Sequence, residues 1–560
     1  MQWGDLMKKF NEIEYVRPDS DLAKKETLQK IKEFNKAKTY EDARATNMLE
    51  NEVLMNAKTM MTIARIKTTI DKSNDYFDHE VKMIANSIKD LAGVGQKAAE
   101  AILKSPFKDQ FAEEYGDYLL EKMAINKKYQ DNTIYQLKSK EQILIEMYNN
   151  LLAGPSIKIN KQDSNLSGLR KFFHDDSRIT RFSATKIYAS VYEKIAHELH
   201  DIYDEIVKIR KQIAKKAGHK DALSCIYEMN GRFDYTPDEA RMFREFVVKN
   251  IVPACDIICR EQALRLSVDN FKNYDEFAYF KQKPKSKVDT DQLIDIVFDY
   301  VASLSPQSKE YIDYLKEYEL YDLKTMPHKI EGSCHYILDQ YKAPFLIANL
   351  KGSIYDVFSL AHEVGHGLSY YMSSRKDESS EAYISTGEIK EIHAKTLELL
   401  MFNVLDKISE DKNKLAYSHL CRFLFDIPYY CAIDEFEENI YSKELSFDEK
   451  NALWKEMEKK YLPWRIYDQD FFNQGCAYLT NRYIFTKPLY SLNFALADVC
   501  SVLLTKKPDA IKDYLRLCET GGRKGYFELL ALAKIKNPFF EDTIREFVKY
   551  VITRLEELKA

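Results

Sequence analysis

The chain has 560 residues, and its 83 Lys and Arg stand against 88 Asp and Glu, interspersed, for a net charge of −5. That balance offers no basic footprint for nucleic acid or an anionic membrane surface, and no apolar run approaches the roughly 18 residues of a membrane-spanning helix. Only 17 Gly and 14 Pro occur, well under the usual roughly 7 % and 5 %, so turns should be few and helices long.

The start, Met1–Lys9, has no apolar core and does not read as a secretory signal. The nine Cys are odd in number and scattered, which suits reduced thiols in a cytoplasmic protein. Cys255 and Cys259 share one face of a predicted helix and read as core packing. Residues 20–150 read as successive amphipathic helices, with breaks expected at Asp90–Gly95 and at Ser105-Pro106. Ala153–Gly168 is polar and turn-rich. It divides an N-terminal helical region, residues 1–160, from a larger region, residues 161–560, that holds the chemistry.

Residues 178–320 are again helical in pattern. Within them Ala196-His-Glu-Leu-His200 spaces its two histidines three apart and lacks a third ligand, so it reads as a surface helix. Between about 325 and 352 the pattern changes. Cys334–Leu338 and Phe345–Leu350 are short and rich in aromatic and branched residues, as strands of a small sheet would be. If Phe345–Leu350 is an edge strand, it can bind a peptide by strand addition.

The densest chemistry follows at once. Val357, Leu360, Ala361, Val364 and Leu368 recur at three- to four-residue spacing, which predicts a buried helix with Asp356 as a cap at its start. His362 and His366 are four apart and so lie on one helix face, aimed at one point, as two ligands of a zinc ion would be. Glu363 sits one step round the helix, poorly placed to ligate and well placed as a general base. With 11 His in the chain, chance supplies roughly 0.02 matches to H-E-x-x-H. Gly365 and Gly367 each lower helix propensity by about 1 kcal/mol relative to Ala. Something must approach closely there, and a metal with a substrate strand over it is a sufficient reason.

A catalytic zinc needs a third protein ligand. Ser369 and Met372 occupy the places of a third histidine in an extended motif, and Ser385 stands nineteen residues after His366, where many zinc aminopeptidases have Glu. Glu388, Glu391, His393 and Glu398 are the nearby candidates. Glu391 and Glu398 share a helix face, so one can ligate while the other orients a ligand imidazole. Spacing alone does not choose among the four.

The motif together with Glu391-Ile-His-Ala-Lys-Thr-Leu-Glu398 resembles the M3 family of zinc oligopeptidases, the oligoendopeptidase F and thimet oligopeptidase group. Tyr15–Pro18, Arg232–Tyr235, Ala343–Ser353, Ile433–Phe436 and Glu519–Gly522 resemble stretches of the oligoendopeptidase F-like branch in the same order. The resemblance implies one Zn²⁺ per chain held by His362, His366 and Glu391, with Glu398 behind a ligand. It implies a mostly α-helical, two-lobed shell around a deep channel, with a small β-sheet beside the zinc helix. It also implies hydrolysis of internal bonds in short unstructured oligopeptides, with Glu363 as the base. The same branch carries a His and, after a Pro, several Tyr to steady the oxyanion. Aligned on Pro488, Tyr483 stands at the His position and Tyr490 retains a Tyr, while Ser491 and Phe494 replace hydroxyphenyl groups. A phenol stays protonated at neutral pH and can donate, which makes Tyr490 the first candidate and Tyr483 the second. This departure keeps a non-catalytic peptide-binding protein as an alternative, and an exopeptidase on the same fold is another.

Overall fold

The computed structural model describes residues 7–153, 157–159, 162–164, 166–326, 328–329, 332–376 and 385–559. The start at Met1–Leu6 and parts of the turn-rich Ala153–Gly168 stretch lie outside them. Helices dominate, from Ser20–Phe34 to Glu541–Lys559, and the longest are Asp75–Lys104 and Lys412–Ser442. The break expected at Asp90–Gly95 does not occur. Helix Asp75–Lys104 runs through both glycines, where an added Cβ would meet nothing within 4 Å. Buried Ile84, Leu91, Val94, Ala98 and Ile102 line one side of that helix, and this packing outweighs the propensity lost at two glycines. The helix stops at Ser105, before Pro106, as predicted.

Two compact units form, each from three separated segments. The first gathers residues 1–130, 286–409 and 503–535, and the second gathers 131–285, 410–502 and 536–560.

In the second unit, β1 (Ile157–Ile159) and β2 (Gln162–Ser164) pair antiparallel inside the turn-rich stretch. Around them are helices, with Trp454 of Phe447–Tyr461 packed edge-on against Phe436 of Lys412–Ser442 at 5.6 Å. Cys255 and Cys259 are buried on helix Val252–Leu266, as core packing requires, and all nine cysteines are free thiols. The helix Ala196–Lys216 corrects an expectation. His200 is buried, not at the surface, with Nε2 3.2 Å from Lys450 Nζ and 3.2 Å from Asp204 Oδ2. The 3.6-residue period turns His200 inward beside Leu199 and Tyr203 and leaves Asp201 outside.

In the first unit, three strands form one sheet in the order β3-β5-β4. They are β3 (Tyr321–Lys324), β4 (Cys334–Leu338) and β5 (Ala343–Leu350). β4 runs antiparallel to β5, pairing His335 with Leu346, and β3 runs parallel to β5, pairing Tyr321 with Leu346. Phe345–Leu350 is therefore the central strand and not an edge, and strand addition along it is excluded. Its near-continuous burial is what a strand covered on both faces of its sheet shows. The strand that flanks it, β3, has only four residues of mixed polarity and gives no periodic signal in the sequence.

The motif helix, Asp356–Ser374, lies on this sheet and against the next helix, Gly387–Leu400. The two glycines explain how, and they correct the expectation that metal and substrate require them. A Cβ on Gly365 would stand 2.9 Å from Ala394 Cα and 2.9 Å from the His393 carbonyl oxygen, both in the next helix. A Cβ on Gly367 would stand 2.1 Å from the Tyr311 hydroxyl and 3.1 Å from Leu346 Cδ2 on β5. The close approach is thus protein to protein.

Gly365→Ala meets backbone atoms that cannot give way, so overpacking of about 1–3 kcal/mol should outweigh the about 1 kcal/mol gained in helix propensity. Gly95→Ala enters open space and should gain propensity alone. Denaturant midpoints should therefore fall for Gly365→Ala and hold or rise for Gly95→Ala.

Candidate functional site

The motif helix begins at Asp356, whose carboxylate accepts from the backbone N–H of Lys351 at 2.7 Å and of Ser353 at 3.0 Å. It ties the incoming loop to the helix and does not cap the first turn, because it already stands inside that turn. Six residues on, His362 and His366 face one point, as the i, i+4 spacing predicts, with their Nε2 atoms 3.1 Å apart. Thr386 caps the next helix by accepting from the Ile389 N–H at 3.4 Å. That helix brings Glu391 Oε2 to 3.6 Å from His362 Nε2.

One ligand atom from each of His362, His366 and Glu391 lies within 4.8 Å of the other two. Zinc bonds of about 2.0–2.2 Å at tetrahedral angles put ligand atoms roughly 3.3–3.6 Å apart, and the observed 3.1 and 3.6 Å bracket that spacing. The donor set, two imidazoles and a carboxylate, is one zinc takes in catalytic sites. The residues present therefore fit the metal.

The electrostatics agree. Burial opposes charge on His362, but Glu398, Glu391 and Glu363 outweigh it and raise its pKa to about 9. The surroundings thus favour a positive charge at this point. Burial, then the neighbouring His362 and His335, hold His366 well below the usual imidazole range, so it is neutral with a lone pair to offer. Glu398 Oε1 sits 2.7 Å from His362 Nδ1. A carboxylate only accepts, so Nδ1 carries the proton and Nε2 is the atom that faces His366.

The other candidates separate by position. Glu388 is buried in the first turn of its helix and stands outside the cluster. His393 is fully buried against the backbone of Leu517, and burial pushes its pKa down to about 3. Glu363 is buried beside the cluster without joining it, and its Oε2 has no hydrogen-bond partner. His335 of β4 reaches the same place. Its Nδ1 lies 3.6 Å from Glu363 Oε2, too long for a hydrogen bond, and its ring centroid lies 4.8 Å from that of His366. The sequence reading missed His335. The available signal was a histidine in the strand just ahead of the motif.

Tyr483 and Tyr490 lie in the second unit, half-buried, with their rings stacked at 5.6 Å and 19°. Phe494 closes the group, 5.2 Å from each ring, while Ser491 is fully buried at the start of helix Ser491–Thr505. Between the tyrosines, Leu489 adopts a left-handed φ of 56°. A non-glycine residue in that region stores about 1–3 kcal/mol of strain, held by its surroundings.

An H-E-x-x-H helix faced by a glutamate on the following helix, in a mostly helical chain, defines the metallopeptidase class. The family profile for the Peptidase M3 N-terminal domain matches residues 10–129, and that for Peptidase family M3 matches residues 172–548. The chain belongs to peptidase family M3. It is similar to PZ peptidase A, solved with an inhibitor, at 29 % identity and a TM-score of 0.92 over 98 % of this chain and 99 % of that one. It is similar to a Bacillus anthracis str. Ames protein assigned to oligoendopeptidase F, at 28 % identity and a TM-score of 0.87 over 99 % of each chain. An oligoendopeptidase F homologue of Borreliella burgdorferi shares 26 % identity over 233 residues, 39 % of this chain and 38 % of that protein. The match therefore spans well under half the length of that curated relative.

Glu398→Gln keeps a polar group beside His362 but removes the charge that fixes its tautomer, and loss of such a partner weakens metal binding by about 10–100-fold. His393→Ala should leave metal affinity within about threefold, since its ring lies outside the donor cluster. Competition titration with a zinc chelator reads both.

Proposed function

We propose that this M3 peptidase is a zinc-dependent endopeptidase that hydrolyses internal bonds of short, unstructured oligopeptides. The observation that carries the reading is the cluster of His362, His366 and Glu391, with Glu363 buried beside it and not part of it. The name oligoendopeptidase F, borne by similar proteins, supports the endopeptidase part. Nine free thiols suit a reducing compartment such as the cytoplasm, and no helix among the described residues is long and apolar enough to cross a membrane.

When bound, zinc supplies a Lewis acid that polarises the scissile carbonyl and makes water acidic enough to attack at neutral pH. His362, His366 and Glu391 are the ligands in this reading, one ion per chain, and Glu398 orients His362 from behind. Glu363 takes the proton of the attacking water and passes it to the leaving nitrogen, which releases the amine. Its buried Oε2 accepts no hydrogen bond and is the acceptor for that proton in this reading. His335 stands 3.6 Å from that same oxygen and limits where the carboxylate can swing. Tyr490, with Tyr483 stacked on it, donates to the oxyanion.

Glu363→Gln should retain zinc and fold while kcat falls by roughly 10²–10⁴-fold, and Glu391→Ala should lose most zinc. Mass-spectrometric mapping of peptide products decides the reaction type. Internal cuts support the proposal. Trimmed ends make it an exopeptidase, and peptide binding without products makes it a non-catalytic peptide-binding protein.

Tyr490→Phe should lose roughly 10²–10³-fold in kcat, with KM and zinc content near wild type, and Tyr483→Phe should lose less. Near wild-type kcat in both variants would remove the tyrosines from the mechanism.

A further inference from the structure

The segment between Tyr483 and Tyr490 is held through its backbone by side chains from three other parts of the second unit. Arg210 of helix Ala196–Lys216 donates to the carbonyls of Ile484 at 2.8 Å and Phe485 at 2.6 Å. Asn230 donates to the Pro488 carbonyl at 3.1 Å. Arg232 Nη2 donates to the Leu489 carbonyl at 2.7 Å and to Asn493 Oδ1 at 2.7 Å. Glu437 of helix Lys412–Ser442 accepts from the Leu489 N–H at 3.0 Å.

Leu489 is thus gripped at both its N–H and its carbonyl, by an acid from one element and a base from another. It is also the residue with the left-handed φ of 56°. The turn Lys487–Tyr490, closed by the Tyr490 N–H on the Lys487 carbonyl at 3.2 Å with Pro488 second, places Leu489 at the third position, where φ is positive. Arg232 and Glu437, which clamp it there, are both buried. Arg232 is further sandwiched, with its guanidinium 4.9 Å from the Tyr227 ring and 5.8 Å from that of Tyr235. Arg210 is locked by Glu141 at 2.6 Å and the Tyr441 hydroxyl at 2.8 Å. Strain of this kind gathers where a neighbouring group must be aimed, and the next residue is Tyr490.

We propose that Arg232 and Glu437 are positioning residues that hold Leu489 in its left-handed geometry and so fix the direction of the Tyr490 hydroxyl, with Tyr483 stacked on it. This rests on the reading of Tyr490 as oxyanion donor. The two residues act through the backbone and need not touch substrate. Glu437 serves Leu489 as the acceptor of its N–H at 3.0 Å, a role that the carbonyl oxygen of an amide of the same shape can fill.

The test compares Arg232→Met, Glu437→Leu, Glu437→Gln, Tyr490→Phe and Arg232→Met/Tyr490→Phe with the zinc-loaded wild type. Zinc content, kcat and KM on a quenched fluorescent peptide, and hydrogen exchange of residues 486–491 are measured on each. Arg232→Met and Glu437→Leu should speed exchange in that segment and lower kcat by about 10–100-fold, the scale of a small misplacement, with zinc retained. Glu437→Gln should restore slow exchange and most of kcat. Arg232→Met should lower kcat no further in the Tyr490→Phe background. Should Arg232→Met not fold, Arg232→Lys keeps the buried charge while losing the guanidinium geometry, and the same readings apply. Unchanged exchange, equal loss in Glu437→Gln and Glu437→Leu, or losses that multiply in the double variant would overturn the proposal. If Tyr490→Phe alone keeps wild-type kcat while Arg232→Met lowers it, the donor assignment fails and the positioning role fails with it. If neither lowers kcat, both readings fail.

Discussion

Two helices that must touch backbone to backbone set the geometry of the candidate centre. The motif helix supplies both imidazoles and Glu363, and the next helix supplies the carboxylates of Glu391 and Glu398. Glu391 Oε2 comes to 3.6 Å from His362 Nε2, and Glu398 Oε1 to 2.7 Å from Nδ1 of the same ring. One ring thus reads the spacing between the helices on both of its nitrogens. That spacing exists because nothing stands between Gly365 and the backbone of His393 and Ala394. A side chain there would push the carboxylates away from both nitrogens together. Gly367 does the same on the far side, where Tyr311 and Leu346 fill the space a Cβ would need. The motif helix is wedged between a helix and a sheet, and its histidines are aimed by what it packs against.

The charge arrangement follows from the same packing. Four ionisable groups, His362, Glu363, Glu391 and Glu398, meet in a largely buried space. Isolated charges there would be heavily penalised, so they persist only as a set. His366 stays neutral because burial and a second imidazole both oppose its protonation. His362 favours positive charge because three carboxylates surround it. A doubly charged cation satisfies the same demand, which is why a site of this make-up selects metal more readily than a lone charged residue would.

The second unit shows another way of fixing a side chain. The tyrosine segment is set by side chains that seize its backbone from several helices, one of them holding a left-handed leucine. Such a device is costly in local strain and is invisible to periodicity, because each grip comes from a different stretch of chain. The departures at Tyr483, Ser491 and Phe494 sit on this frame. The aromatic trio is retained as packing, with Phe494 against both tyrosines, while Ser491 is withdrawn into its helix.

The sequence by itself determined the helical character, the motif helix, the strands Cys334–Leu338 and Ala343–Leu350 to within two residues, and the pairing of His362 with His366. All of these are written in local spacing, where the 3.6-residue and two-residue periods act. It narrowed the third ligand to four residues on one predicted helix but could not choose by spacing, and a likeness to M3 peptidases was needed to point to Glu391. Only the tertiary structure decided the rest. It made Phe345–Leu350 central, because β3 carries no sequence signal of its own. It kept helix Asp75–Lys104 whole through two glycines, because packing outweighs propensity. It turned His200 inward and brought His335 to Glu363, because long-range packing sets which residues become neighbours. It also gave the motif glycines their reason, since a missing Cβ has meaning only once the atoms on the other side are known.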